Sequence, residues 1–109
     1  MGIFGNLFAA MSTGSAKVLP SNAVLIDVRS SAEFASGHIE HAISLPLSGI
    51  GDAIRSAVPD PESPIIVYCR SGARSASAAR QLTSLGYRLV VNGGGLDALS
   101  ARMGRNICK

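Results

Sequence analysis

The chemistry legible in this 109-residue chain centres on Cys69 and the polar run that follows it, Arg70-Ser71-Gly72-Ala73-Arg74-Ser75. Cys69 closes an apolar stretch, IIVYC over residues 65–69, that reads as a buried strand. In open parallel sheets, ligands bind at the carboxyl ends of strands, which is where this thiol sits. A free thiol has a pKa of about 8.5 and is mostly protonated at neutral pH. The run behind it supplies what a thiolate needs. Successive backbone N–H groups from Arg70 to Ser75 can curl into an anion-holding nest. Gly72 allows backbone angles closed to other residues. A helix beginning at Ser75 aims the positive end of its dipole at the same point, and Arg70 and Arg74 add guanidinium charge to bind an anionic donor. No histidine base is placed near Cys69 by the sequence, and this environment makes one unnecessary.

The elements that must position this loop follow from apolar spacing and breakers. Residues 23–28, AVLIDV, read as a buried parallel strand. Ser30-Ser31-Ala32-Glu33 is a capping-box pattern that starts a short helix ended by Gly37. Residues 42–45 read as a short strand stopped by Pro46. Leu47, Ile50, Ile54 and Val58 recur at helical spacing, which predicts a helix over 47–57. Three prolines at 59, 61 and 64 enforce a loop before the cysteine strand. Residues 75–85 predict a helix stopped by Gly86, residues 87–91 a further strand, and Gly93-Gly94-Gly95 the opening of a last helix that ends near Gly104. Strands alternating with helices imply an α/β domain with a mostly parallel sheet.

Length and composition exclude several alternatives. The chain suffices for one compact domain. Charged residues make up only 16%, which argues against disorder. The net charge is +3, and every Lys and Arg except Lys17 lies at or after Arg29. That skew suits a small anionic substrate better than a nucleic acid, as does the absence of Trp and of any base-stacking platform. Two cysteines, Cys69 and Cys108, are too few to staple a secreted scaffold, and with two histidines they make no zinc spacing. The expectation is therefore a reducing, cytoplasmic compartment with no metal and no cofactor. Residues 1–22 read as an amphipathic helix plus connector, with the domain over 23–109. Ile3, Phe4, Leu7, Phe8 and Met11 share one helical face. This face is expected to dock on the domain or on a second copy, leaving monomer and homodimer open. Contact of residues 3–11 with a membrane surface is the less favoured alternative.

With these motifs in hand, the sequence resembles the rhodanese family of sulfurtransferases. The resemblance runs from about Val24 to Leu99 through LIDVR at 25–29, EFASGHIEHAISLP at 33–46, VYCRSGARS at 67–75 and GGLDAL at 94–99. It implies a rhodanese-like α/β fold, a central mostly parallel sheet with helices on both faces. It also implies that Cys69 takes a sulfane sulfur from thiosulfate or a persulfide and passes it, as a persulfide, to cyanide or a thiol, with a protein acceptor also open. Arg70, Ser71, Gly72, Ala73, Arg74 and Ser75 match the family's active-site loop. The six-residue span from Cys69 to Arg74 is that of the sulfur-transferring members, one residue shorter than in related dual-specificity phosphatases. A phosphatase or arsenate reductase is thus the less favoured enzyme reading, and a non-catalytic binding module is the alternative from another class. Asp27 and Arg29 match the family's DxR element, either bracing the loop or forming a structural ion pair, the latter preferred. His38, of the GHI element, is expected to pack and hydrogen-bond beneath the site. His41 stands where Gly is usual in the family and reads as an exposed turn residue. Leu99 stands where Trp is common. Cys108 is a resolving thiol or, as preferred, a spectator.

Overall fold

The computed structural model describes residues 19–109. The apolar segment 3–11, expected to form a helix, lies outside them. The order of elements is β1 (Val24–Asp27), α1 (Ser31–Ser36), β2 (His38–Ile39), β3 (Ile43–Ser44), a 3-10 turn (Leu47–Gly49), α2 (Ile50–Ala57), β4 (Ile65–Cys69), α3 (Ala73–Ser84), β5 (Val90–Gly95), α4 (Leu96–Met103) and β6 (Ile107–Cys108). The main sheet runs β3-β1-β4-β5 with every neighbour parallel. The cysteine strand β4 is therefore central. All five of its residues are buried, as its unbroken apolar sequence requires.

Side chains alternate across β4 and feed two cores. Ile65, Val67 and Cys69 join Ile26 and Val28 on one face, against Ile50 and Ile54 of α2 and Ala78 and Leu82 of α3. Ile66 and Tyr68 join Leu25 on the other, against Ile39 and Leu99 of α4. Helices thus cover both faces of a mostly parallel sheet. Leu99, in the last helix, is fully buried and fills this second core. The capping box of α1 is present in both directions: Glu33 N–H donates to Ser30 Oγ, and Ser30 N–H donates to Glu33 Oε1.

Three elements differ from the sequence reading. The helix expected over 47–57 is a 3-10 turn followed by α2, because Pro46 and Gly49 interrupt its start. The strand expected over 87–91 lies instead at Val90–Gly95. Tyr87 is taken up in the turn after α3, its N–H bonded to Leu82 O and its hydroxyl to Val58 O. Gly93, Gly94 and Gly95 belong to this strand rather than to the following helix. Gly93 and Gly95 make room: a Cβ on Gly93 would lie 2.8 Å from Leu99 Cδ2 and 2.9 Å from Ile66 Cγ2, and one on Gly95 would collide with the carbonyl oxygen of Arg70. The register of β5 against β4 shifts at Val67/Tyr68, so that Asn92 pairs with Val67 and Gly94 with Tyr68. The third difference is a two-stranded antiparallel ribbon, β2 with β6, that pairs His38 with Cys108 and Ile39 with Ile107.

Candidate active site

Cys69 ends β4 with 1% of its surface exposed. The chain then turns within Arg70, Ser71 and Gly72, and α3 begins at Ala73, two residues earlier than expected. Gly72 makes this possible. It occupies the N-cap with φ of 103°, a left-handed conformation that glycine adopts without steric cost. Ala73, Arg74 and Ser75 are accordingly first-turn helical residues rather than loop.

The turn folds back on the sulfur. Gly72 N–H donates to Cys69 Sγ at 2.9 Å and Ser75 N–H at 3.4 Å, with Ser75 Oγ also 3.4 Å away. Burial pushes the thiol pKa up. The hydrogen bonds from the Ser75 hydroxyl and from the amides of Ser75, Gly72 and Ser71 outweigh it, and the thiol is held below its ordinary value. The first-turn amides of Ala73 and Arg74 have no helical carbonyl to meet, and no side chain caps the helix. The result is a thiolate site built from main-chain donors, with further donors facing the same end of α3.

A side chain from β5 fixes the turn. Asn92 Nδ2 donates to Gly72 O at 3.2 Å, while its Oδ1 accepts from Ser75 Oγ at 2.6 Å and from Gly94 N–H at 3.0 Å. One amide therefore ties the N-cap, the first turn of α3 and the end of β5 together. Sequence reasoning passed over Asn92. Its signal is a polar residue closing an apolar strand run directly before the glycines.

Glu33 of α1 was also missed as a site residue. Its carboxylate receives Arg74 Nη1 at 2.8 Å and Nη2 at 3.1 Å, and Arg70 Nε lies 3.6 Å away. The Arg74 hydrogen bond, followed by the Ser30 amide, holds the Glu33 carboxyl well below the usual carboxylate range. Arg70, 70% exposed, reaches into solvent at the rim. Of the two loop arginines, Arg74 is thus engaged with Glu33 rather than free for an anion. A groove of about 320 Å³ opens beside Arg74, walled chiefly by Val28, Pro46, Leu47 and Ser48.

Asp27 and Arg29 form a buried ion pair, Nη2 to Oδ2 at 2.7 Å and Nε to Oδ1 at 3.0 Å. Arg29 Nη2 also donates to Gly37 O at 2.6 Å. The pair joins the end of β1 to the end of α1, and its hydrogen bonds go to this junction rather than to the cysteine loop. His38 stacks on Phe34 at 3.7 Å between ring centroids, with Nδ1 2.9 Å from Phe34 O and Nε2 3.5 Å from Cys108 Sγ. The structure brings His38 to Cys108, not to Cys69. His41 is exposed with φ of 69°, a left-handed turn position that suits glycine better. Among the described residues, no group of three or more His, Cys, Asp or Glu could hold a metal ion, and no helix is long and apolar enough to cross a membrane.

Comparison with known proteins agrees with this geometry. The rhodanese-like domain family matches residues 10–102. The chain belongs to the rhodanese family. It is 39% identical over 75 residues to the thiosulfate sulfurtransferase PspE of Escherichia coli K12, covering 69% of this chain and 72% of that one. It is 42% identical over 74 residues to the thiosulfate sulfurtransferase GlpE of Pseudomonas syringae pv. syringae, covering 66% and 68%. A solved structure described as a rhodanese with anions from E. coli superposes with a TM-score of 0.66 at 38% identity, covering 68% of this chain and 87% of that one. The chain is accordingly an enzyme of the rhodanese sulfurtransferase class, and its parallel sheet with helices on both faces is the rhodanese fold.

Proposed function

We propose that this rhodanese moves a sulfane sulfur from thiosulfate or a persulfide donor to a thiol or cyanide through a persulfide on Cys69. The observation that carries the reading is the convergence of the Gly72 and Ser75 amides on Cys69 Sγ at the N-terminus of α3. In the first step the thiolate attacks the sulfane sulfur of thiosulfate. The Cys69–S bond forms as the S–S bond to the sulfonate breaks, and sulfite leaves with the bonding pair. In the second, cyanide or a thiolate attacks the outer sulfur, the persulfide bond breaks, and Cys69 leaves as a thiolate. Negative charge is present at Cys69 before and after each step, so the site needs fixed donors more than a proton shuttle. Ser71, Gly72, Ala73 and Ser75 serve as the cradle. Arg70, exposed at the rim, attracts the donor; Arg74, held by Glu33, lines the mouth, and Asp27, Arg29 and His38 support the scaffold.

Small anions and thiols are the proposed partners, in a reducing compartment that keeps Cys69 and Cys108 as free thiols. The test is intact mass after thiosulfate treatment. The wild-type protein should gain one sulfur atom and lose it to cyanide as thiocyanate, and Cys69→Ser should do neither. Retained turnover in Cys69→Ser sinks the proposal.

A further inference from the structure

The rim of the site carries two cations and one carboxylate, and the carboxylate meets both. Arg74 gives Glu33 a two-pronged pair, 2.8 and 3.1 Å, and Arg70 Nε stands 3.6 Å from the same Oε2. Glu33 is held in place from its own side by Ser30, whose N–H and Oγ both donate to Oε1 at 3.0 Å. Its side chain is 24% exposed, against 39% for Arg74 and 70% for Arg70. Such a carboxylate is more than a helix cap. It cancels one of the two positive charges at the mouth and holds the planar Arg74 fork away from an incoming anion. Asp27, the buried carboxylate among the described residues, is itself paired with Arg29.

We infer that Glu33 is a specificity-determining residue that sets the charge class of the sulfur donor. With one uncompensated positive charge at the rim, the site favours singly charged donors, such as persulfides and thiosulfonates. It takes up the doubly charged thiosulfate less readily than the two arginines alone would. The inference rests on the sulfurtransferase reading, and it adds to that reading a donor class and the residue that enforces it.

The test compares wild type, Glu33→Gln and Ser30→Ala. Gln keeps the shape of the capping box and an acceptor for Arg74 while removing the charge. Ser30→Ala weakens the cap and keeps the charge. The first readout is the rate of Cys69 alkylation by anionic iodoacetate divided by that for neutral iodoacetamide, resolved by peptide mass so that Cys108 serves as an internal reference. Glu33→Gln should raise this ratio about threefold at Cys69, the size of one unit charge acting across a water-filled mouth. The ratio at Cys108 should not move, and added salt should erase the gain. The second readout is kcat/KM for thiosulfate divided by that for methanethiosulfonate. It should rise by a similar factor, carried by a lower KM for thiosulfate. Ser30→Ala should move neither ratio. The inference is overturned if Glu33→Gln leaves the ratios unchanged, or if Ser30→Ala changes them equally, which would make Glu33 a helix cap alone. If wild type takes sulfur from neither donor, the sulfurtransferase reading fails and donor preference with it, while the alkylation ratio still reports the rim charge.

Discussion

Replacing Ser75 by Ala tests whether the cysteine is activated by its hydrogen bonds. Ser75 Oγ lies 3.4 Å from Cys69 Sγ, 2.6 Å from Asn92 Oδ1 and 3.1 Å from Gly72 O. A hydroxyl has one proton to donate, so it serves the sulfur fully only in the thiolate state, when the charge competes with the Asn92 carbonyl. A hydrogen bond to a charged group contributes roughly 1.5–3 kcal/mol, and the 3.4 Å contact belongs at the low end of that range. Since one pKa unit is about 1.4 kcal/mol, Ser75→Ala should raise the Cys69 pKa by roughly one unit. The Gly72 and Ser75 amides remain, so the thiol stays more acidic than it would be with burial alone. The assay is the pH dependence of Cys69 alkylation by iodoacetamide, resolved from Cys108 by peptide mass. The inflection should move up, and at neutral pH the rate should fall by up to about tenfold. The same shift appears in stability. A thiol whose folded pKa is depressed contributes stability that is fully present above its unfolded value, about 8.5, and is lost as pH falls through the folded value. Ser75→Ala should reduce that alkaline gain. An unmoved inflection, or one shifted toward acid, refutes the account of activation by hydrogen bonding.

Gly95→Ala should displace the cysteine turn, because the added Cβ collides with Arg70 O and lies 3.2 Å from Arg70 C. Overpacking of this kind costs about 1–3 kcal/mol; urea unfolding should show that loss and intact mass should show reduced sulfur loading. Arg29→Leu leaves Asp27 buried and unpaired at 0% exposure, and should cost about 3–5 kcal/mol in urea unfolding. His41→Gly should stabilise the fold by about 0.5 kcal/mol, the left-handed strain at φ 69° outweighing the backbone entropy that glycine adds to the unfolded chain. Thermal melting reads this as a small rise in Tm with no change in sulfur loading.

The parts of the fold legible in the sequence are those fixed by local pattern. The unbroken apolar run of β4, the Ser30–Glu33 box and the spacing of Ile50 and Ile54 each name their element, and each is present. The errors fall where a distant neighbour decides. Glycine has poor strand propensity, so Gly93-Gly94-Gly95 reads as a break. Only the closeness of Leu99 and Ile66 to Gly93 and of Arg70 O to Gly95 shows that nothing larger fits at these two positions of β5, while Gly94 is set apart by its φ of 88°. The two-residue strands His38–Ile39 and Ile107–Cys108 are too short for any periodicity and exist by virtue of each other, 70 residues apart at the His38–Cys108 contact.

The same division runs through the site, and it has a chemical reason. The nucleophile and its donors are contiguous, Cys69 to Ser75, because a helix N-terminus delivers several amides to one point with a handful of residues. Such a motif is visible in one dimension. What adjusts it comes from other strands and helices: Asn92 lies 17 residues beyond Ser75, and Glu33 lies 41 residues before Arg74. Main-chain donors cannot be exchanged by substitution, so they suit the invariant task of holding charge on sulfur. Side chains that arrive from elsewhere can vary without disturbing the thiolate, so they suit the choice of donor. On this argument, rhodaneses with the same cysteine turn should differ in donor preference according to the charge standing opposite their loop arginines. In this chain that charge is Glu33. Reading the loop alone therefore identifies the reaction and misses its selectivity.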